Sequence, residues 1–179
     1  NDSYAGLIRR LHIRNDSNQE ISIECLDGIP LVVPYGVDNA SLKFTRRLVE
    51  AFVEVDNLSA NAPMFRGKVE PVDRPEVVRI KQGNFYLGFD QNGLVRPVVD
   101  PAKVFGCQTD YSYPEQFLES TRNELLQGQI LENRYPCAMG LFEAAIPAGE
   151  THTYTSIIGH ASSVETLNAM VPRITAPGY

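Results

Sequence analysis

The sequence has no tryptophan, only three cysteines and three histidines, and no excess of basic residues. Its 16 Lys and Arg residues are outnumbered by 22 Asp and Glu residues, which gives a net charge of -6. A protein that binds nucleic acid through its phosphates needs a basic surface, so this function is not expected. No apolar run approaches the ~20 residues of a membrane-spanning helix, and no basic and then apolar leader opens the chain. We therefore expect neither a nucleic acid nor a membrane as partner.

The few cysteines and histidines exclude further functions. An odd number of cysteines cannot form a closed set of disulfides within one chain, so we expect reduced thiols and a cytoplasmic protein. The histidines lack the short spacings of metal sites, and the glycine-rich phosphate loop, the dinucleotide fingerprint and the Gly-x-Ser-x-Gly turn are absent. We expect no metal and no organic cofactor. The residues concerned are Cys25, Cys107, Cys137, His12, His152 and His160.

The chain of 179 residues, 43% of them hydrophobic, is long enough for one domain with its own core. Its dominant period is two, which is typical of β-strands with one buried face. Alternation at residues 11–14 and 21–25, around a polar turn at 15–19, predicts a hairpin. Alternation at residues 49–55 predicts a third strand.

Further strands follow in the second half of the chain. Residues 78–80 and 85–89 flank the Gln-Gly-Asn sequence at 82–84, where glycine tolerates the positive φ of a tight turn, so we expect a second hairpin. Alternation on both sides of a turn at 147–150 predicts two more strands within residues 137–161.

Helical signals are fewer than strand signals. Proline and glutamate at 114–115 and a glycine at 128 predict a helix over about 114–127. Residues 41–48 suit one or two helical turns, and a capping box at 162–165 begins a helix that we expect Pro172 to end. The prediction is a mainly β protein, an antiparallel β-sandwich domain over residues 1–161 with one to three short helices. We expect residues 162–179 to be the start of a linker helix and a tail.

The loop before the predicted 114–127 helix is a candidate binding site. It places Asp110, Tyr111 and Tyr113 among small polar residues. Aromatic rings stack on the apolar faces of sugars, and acids or amides bind their hydroxyls, so this loop could line a carbohydrate cleft. The structural alternative is a helix entry in which Tyr113 packs on the helix and Asp110 or Ser112 caps it.

Six segments resemble large glycan-active proteins related to cellobiose phosphorylase. They are DGIPLVVPYGV (27–37), VDRPE (72–76), VDPAKVFG (99–106), YPEQF (113–117), IPAGE (146–150) and GHA (159–161). In this order and spacing they cover most of residues 27–161.

The resemblance implies a galactose-mutarotase-like β-supersandwich, which in those proteins precedes a linker helix and an (α/α)6 barrel. The family uses inorganic phosphate as co-substrate to cleave β-glucosidic bonds with inversion and to release glucose 1-phosphate. Its catalytic residues lie on the barrel, so none is transferred here, and we expect the chain alone to be non-catalytic. The expected partners are the barrel of the same polypeptide or complex, a β-glucan or cello-oligosaccharide, and a second copy in a homodimer.

Two functions of other classes remain open. One is a stand-alone carbohydrate-binding or assembly module. The other is an aldose 1-epimerase-like sugar epimerase, which the same fold family includes and which uses a histidine acid and a glutamate base. The positions of His12 and His160 near the chain ends do not favour the epimerase.

Overall fold

The computed structural model describes residues 4–70 and 75–176. Strands account for 37% and helices for 23% of the structure, so the prediction of a mainly β protein with antiparallel sheets is confirmed. The strands described are β1 (Gly6–Arg14), β2 (Ile21–Ile29), β3 (Val53–Asp56), β4 (Met64–Gly67), β5 (Gly83–Asp90), β6 (Gly93–Leu94), β7 (Arg96–Val98), β8 (Ala138–Ile146) and β9 (Thr151–Ala161). The helices described are α1 (Asn39–Phe44), α2 (Arg46–Glu50), α3 (Ala102–Phe105), α4 (Glu115–Glu119), α5 (Arg122–Leu126) and α6 (Val164–Ile174).

The strands form two antiparallel sheets. The large sheet has the order β1-β9-β5-β4-β3, with the short β6 paired to β5, and the small sheet has the order β2-β8-β7. Tyr154 of the large sheet stacks on Phe142 of the small sheet, with ring centroids 4.4 Å apart. The two sheets therefore share a buried interface, as the layers of a sandwich do.

The first predicted hairpin is wrong, because β1 pairs with β9 in the large sheet and β2 pairs with β8 in the small sheet. The chain crosses between the sheets after β1 and again after β8. Asn15 joins these two crossings: its backbone N–H donates to the Glu150 carbonyl at 2.9 Å and its side-chain amide donates to the Ile146 carbonyl at 2.8 Å. Alternation identifies strands but not their partners, and a crossing turn has the same polar composition as a hairpin turn.

The second predicted hairpin is also wrong. Residues 78–80 contribute only an isolated bridge between Arg79 and Val69, whereas β5 pairs with β4, β6 and β9. Gly83 is the first residue of β5, and a Cβ atom there would lie 2.5 Å from Met64 Cγ. The glycine is therefore required by the close approach of a side chain from β4 and not by a turn.

The helices are shorter and more numerous than expected, with six in the part of the chain that is described. The predicted 114–127 helix is divided into α4 and α5, because Thr121 caps α5. The Thr121 hydroxyl accepts from the Glu124 backbone N–H, and the Glu124 carboxylate accepts from the Thr121 backbone N–H at 2.8 Å. This capping box starts a new helix. Helix α2 extends to Glu50, so the third predicted strand begins only at Val53.

Helix α6 packs on the outer surface of the large sheet. Ser163 caps it by accepting from the Thr166 backbone N–H at 3.2 Å, as expected for a helix that begins in this region. The predicted end at Pro172 is wrong, because the helix continues to Ile174, which is fully buried and stabilises the last turn. The packed side chains are Leu167, Met170 and Ile174 of α6 with Phe85, Leu87 and Ile157 of the sheet.

Two predictions lie partly outside the described residues. They are the tail at 177–179 and positions 72–74 of the VDRPE segment. The boundary between residues 161 and 162 stays a prediction.

Candidate functional site

Strand β9 has two chemically different faces. Its inward residues pack towards the small sheet, and its outward residues begin with a row of exposed or half-buried threonines. The inward residues are His152, Tyr154 and Ser156, and the outward threonines are Thr151, Thr153 and Thr155. One strand therefore contributes both to the interior of the sandwich and to its surface.

The outward threonines line a groove on the large sheet, which we call the threonine groove. Helix α6 covers one part of this sheet face, and the groove occupies the part beside it, with a volume of about 900 Å³. The turn between β5 and β6 lies at one side, and Thr175 and Ala176 at the end of α6 lie at another. Side chains of the sheet that line the groove are Ile8, Arg10, Phe89, Thr151, Thr153 and Thr155.

The strand register places different chemical groups side by side in the threonine groove. Arg10 lies opposite Thr155 across β1 and β9, and Thr155 lies opposite Phe89 across β9 and β5. Directly opposed residues share a sheet face, and neighbouring strands are ~4.8 Å apart. A guanidinium-bearing side chain, a hydroxyl and an aromatic ring thus form one row. In the next row, His12 Nδ1 lies 2.9 Å from Thr153 Oγ1.

The acidic residue at the side of the groove points away from it. Asp90 Oδ1 accepts from the Asn92 backbone N–H at 2.7 Å, and the Asp90 side chain is only 5% exposed. Its Oδ2 lies 3.6 Å from Nε2 of His152, whose ring stacks on Phe142 inside the sandwich. The carboxylate is therefore directed inwards, and the groove presents hydroxyl and amide groups in this region.

The inward face of β9 contains a buried pair of phenols. The hydroxyls of Tyr86 and Tyr154 lie 2.6 Å apart, and Tyr86 also donates to the Asp27 carbonyl of the small sheet at 3.1 Å. Burial raises the pKa of Tyr86 to about 12 and also raises the pKa of Tyr154. Gly88 and Gly140 make room for this pair, because a Cβ atom at either position would lie 2.0 Å from the Tyr154 hydroxyl oxygen.

The loop predicted from sequence has a clear local structure. The Asp110 carboxylate accepts from the Ser112 backbone N–H at 3.1 Å and from its hydroxyl at 2.9 Å, and these bonds lower the pKa of Asp110. Tyr111 has φ of 56° and packs on Phe105, with ring centroids 5.1 Å apart. Tyr113 is 55% exposed. Tyr111, and not Tyr113, is thus the ring that packs beside the helices, and sugar binding by this loop stays a prediction.

The histidines do not share a site. Each contacts a different residue: His12 contacts Thr153, His152 contacts Asp90 and His160 contacts Tyr35. Among the described residues, no three His, Cys, Asp or Glu side chains are grouped as a metal ion would require. Cys25, Cys107 and Cys137 are unpaired, and burial raises the pKa of the Cys137 thiol.

The threonine groove was not predicted from sequence. The alternation within residues 137–161 predicts a strand that carries the threonines at 151, 153 and 155, but their neighbours depend on which strands pair with β9. Arg10 and Phe89 are distant from them in sequence, so no local motif joins the three side chains.

A second surface, which we call the apolar groove, lies beside α1 and α2. It has a volume of about 470 Å³, and Leu48, Phe52 and Val77 line it. These side chains are 63%, 44% and 80% exposed. Three large apolar side chains therefore share one concave surface.

Segments that carry the sequence resemblance have structural roles. Tyr35 of the LVVPYGV stretch packs on His160 of the GHA segment, with ring centroids 4.8 Å apart. Asp100 of VDPAKVFG is buried and accepts from the Ala102 backbone N–H at 3.1 Å and from Arg134 at 2.9 Å. The resemblance therefore falls on residues that organise the fold.

Comparison with protein-family models gives no match, and no curated protein matches the sequence. Within residues 4–70 and 75–176, none of the helices combines the length and the apolar character that crossing a membrane requires.

Proposed function

We propose that this chain is the non-catalytic β-sandwich domain of a carbohydrate-active glycoside phosphorylase. In this proposal the fold is a galactose-mutarotase-like supersandwich, and it supports a separate (α/α)6 barrel of the same polypeptide or complex. The sequence resemblance supplies the class of reaction. The two-layer antiparallel architecture agrees with it at the level of fold class.

The apolar groove is the observation that carries the proposal. Leu48, Phe52 and Val77 are exposed although burial of each would be favourable by ~2 kcal/mol. A helical barrel packed against α1 and α2 would cover them. Gly36 and Val37, the last two residues of the LVVPYGV stretch, also line the apolar groove. The groove therefore adjoins a segment that carries the sequence resemblance.

The proposed roles of the barrel and of this chain follow from the reaction. An oxygen of inorganic phosphate attacks the anomeric carbon, the bond to the glycosidic oxygen breaks, and an acid on the barrel gives its proton to that oxygen. The products are glucose 1-phosphate and a shortened glycan. No step uses a residue of this chain, whose contribution is to support the barrel and to bind carbohydrate.

A phosphorolysis assay tests the proposal. The purified chain, mixed with phosphate and cello- or laminari-oligosaccharides, is expected to release no glucose 1-phosphate, whereas a polypeptide that combines it with the barrel is expected to release it. Turnover by the chain alone, or none by the combined polypeptide, would contradict the proposal.

A pair of variants tests the role of the apolar groove. The double substitution Leu48→Ser and Phe52→Ser is expected to weaken binding of a separately expressed barrel, because both side chains line the groove. Leu118→Ser is the matched control, since Leu118 is 59% exposed on α4. Equal weakening of barrel binding by the double variant and by Leu118→Ser would contradict the assignment of the apolar groove to the barrel. Concentration-dependent sedimentation that only the double variant abolishes would instead indicate a homodimer through this groove.

A stand-alone carbohydrate-binding module is the second candidate, and the threonine groove favours it. The two candidates differ in what they predict for the apolar groove. A stand-alone module needs no barrel, so we expect the chain of such a module not to bind one. The epimerase alternative gains no support from the separate environments of the three histidines.

A further inference from the structure

The threonine groove is a half-open depression on the large sheet. Its volume of about 900 Å³ lies within the range of small-molecule sites in proteins. The raised end of α6 and the turn between β5 and β6 form its sides. Strands β1 and β9 provide its floor, and β5 joins them from Thr155 onwards.

The polar groups of the groove include threonine hydroxyls and the Arg10 guanidinium, and they suit a ligand with many hydroxyls. Outward side chains on one strand recur every ~6.7 Å, so Thr151, Thr153 and Thr155 form a regular row. Each threonine hydroxyl is both a donor and an acceptor. The Asp90 carboxylate faces His152 instead of the groove.

The apolar groups of the groove suit the carbon-bound face of a sugar ring. Phe89 lies beside Thr155 across the sheet, and Ile8 lines the same groove and is 44% exposed. A pyranose has an apolar face bordered by hydroxyls, and it is recognised by an apolar surface with hydrogen-bonding groups beside it. The row of Arg10, Thr155 and Phe89 has this composition.

The threonine side chains are also preorganised for binding. A β-branched side chain in a strand has few χ1 rotamers, so ordering it on binding costs little entropy. The backbone of β9 is paired with β1 over residues 151–159, and from Thr155 onwards it is also paired with β5. A ligand in the groove would therefore meet hydroxyls in nearly fixed positions.

We propose that the threonine groove is a binding site for a neutral, extended oligosaccharide. The choice of a β-linked glucan as ligand rests on the proposed function, whereas the site rests on the groove itself. The groove then holds a glycan chain on the sandwich while the barrel acts on the chain end.

Titration of the isotope-labelled chain with short laminari- and cello-oligosaccharides tests this inference. Saturable shifts are expected at backbone amides of residues 8–12 and 151–157. The substitutions Thr153→Val and Thr155→Val keep the β-branched shape and remove one hydroxyl each, so each is expected to weaken binding about threefold to tenfold. Phe89→Leu, with its fold checked by circular dichroism, is expected to weaken binding through loss of the ring.

Ser22→Ala is the matched control, because it removes an exposed hydroxyl from a strand of the small sheet. It is expected to leave the affinity unchanged. Inorganic phosphate is the competitor, and it is expected not to displace the glycan. Displacement by phosphate would overturn the assignment of a neutral ligand.

Three other outcomes would overturn the site. They are no saturable binding of either glycan series, equal weakening by the valine and Ser22→Ala variants, and shifts confined to residues 107–114. The last result would place the sugar at the loop of Asp110, Tyr111 and Tyr113. If the chain binds glycan in the threonine groove but the barrel-containing polypeptide shows no phosphorolysis, only the proposed function is contradicted. If the barrel-containing polypeptide shows phosphorolysis but the groove binds no glycan, only this inference is contradicted.

Discussion

The two faces of strand β9 differ in how their polar groups are used. On the inward face, the Tyr154 hydroxyl contacts the Tyr86 hydroxyl at 2.6 Å, and both side chains are fully buried. On the outward face, the hydroxyls of Thr151 and Thr153 are on exposed side chains. A buried polar group must find a partner within the protein, whereas an exposed one can exchange water for a ligand. We therefore expect substitutions on the inward face to change stability and those on the outward face to change binding.

The largest expected effect comes from a larger residue at Gly140 of β8, which lies against Tyr154 on the inward face of β9. Gly140→Ala would place a Cβ atom 2.0 Å from the Tyr154 hydroxyl oxygen, so the buried Tyr154 ring or the strands beside it would have to shift, and we expect a loss of about 3 kcal/mol in the free energy of unfolding, the upper end of the usual cost of overpacking. Gly67→Ala is the matched control in β4, because its nearest contact would be 3.4 Å from Ile80 Cδ1. Urea denaturation measures both variants. Similar losses would show that the phenol pair does not limit the spacing of the sheets.

Alkaline pH is expected to produce the next largest effect. The pKa of Tyr86 is raised from 10 to about 12 in the folded protein, so the folded state retains a proton that the unfolded state loses above pH 10. The stability from this group is complete below pH 10 and is lost as pH rises to about 12, by ~3 kcal/mol in total.

Burial also raises the pKa values of Tyr154 and Cys137, which act in the same direction. Urea denaturation at steps from pH 9 to pH 12 measures the loss. A free energy of unfolding that stays constant across this range would contradict the burial of the phenols.

Tyr154→Phe is expected to have a moderate effect. It removes one hydroxyl of the buried pair, and Tyr86 keeps its bond to the Asp27 carbonyl, so we expect a loss of about 1–2 kcal/mol. Tyr113→Phe is the control, because Tyr113 is 55% exposed, and it is expected to change stability by less than ~0.5 kcal/mol. Chemical denaturation at neutral pH distinguishes them, and equal effects would argue against a structural role for the buried hydroxyl.

The smallest stability effect is expected on the outward face. Thr153→Val and Thr155→Val alter exposed or half-buried side chains of the groove, so each is expected to change the free energy of unfolding by less than ~0.5 kcal/mol. The Thr153 contact with His12 is exposed and does not alter this expectation. Thermal and urea unfolding both measure this change in the free energy of unfolding. A loss above ~1 kcal/mol would show that the threonines help to hold the sheet.

Local features of the fold could be predicted from sequence. The alternation at residues 151–157 predicted the strand that became β9, and the serines at 162–163 predicted the start of α6. Both depend on neighbouring residues only, through the period of the side chains and through capping of free N–H groups.

Pairing between distant strands could not be predicted. The turns beside Asn15 and at residues 147–150 have the composition of hairpin turns, but they carry the chain from one sheet to the other. The choice depends on how both sheets bury their inward faces, which involves Tyr86, Tyr154 and Phe142 together. Local spacing also failed at Thr121, where a capping bond to Glu124 outweighed the apparent helical period.

The same limit applies to the candidate site. A continuous loop such as 107–114 is visible in sequence and predicts a candidate site, although Tyr111 packs on Phe105 and Asp110 bonds within the loop. The threonine groove combines residues from β1, β5 and β9, which only the sheet order brings together.

One crossed measurement tests the division between the two faces of β9 most directly. It determines the free energy of unfolding and the affinity for laminari- or cello-oligosaccharides for Tyr154→Phe and for the double variant Thr153→Val with Thr155→Val. We predict that Tyr154→Phe lowers stability by about 1–2 kcal/mol at unchanged affinity, and that the double variant lowers affinity about tenfold or more and keeps its stability within ~1 kcal/mol. Stability and affinity that change together in both variants would contradict the account.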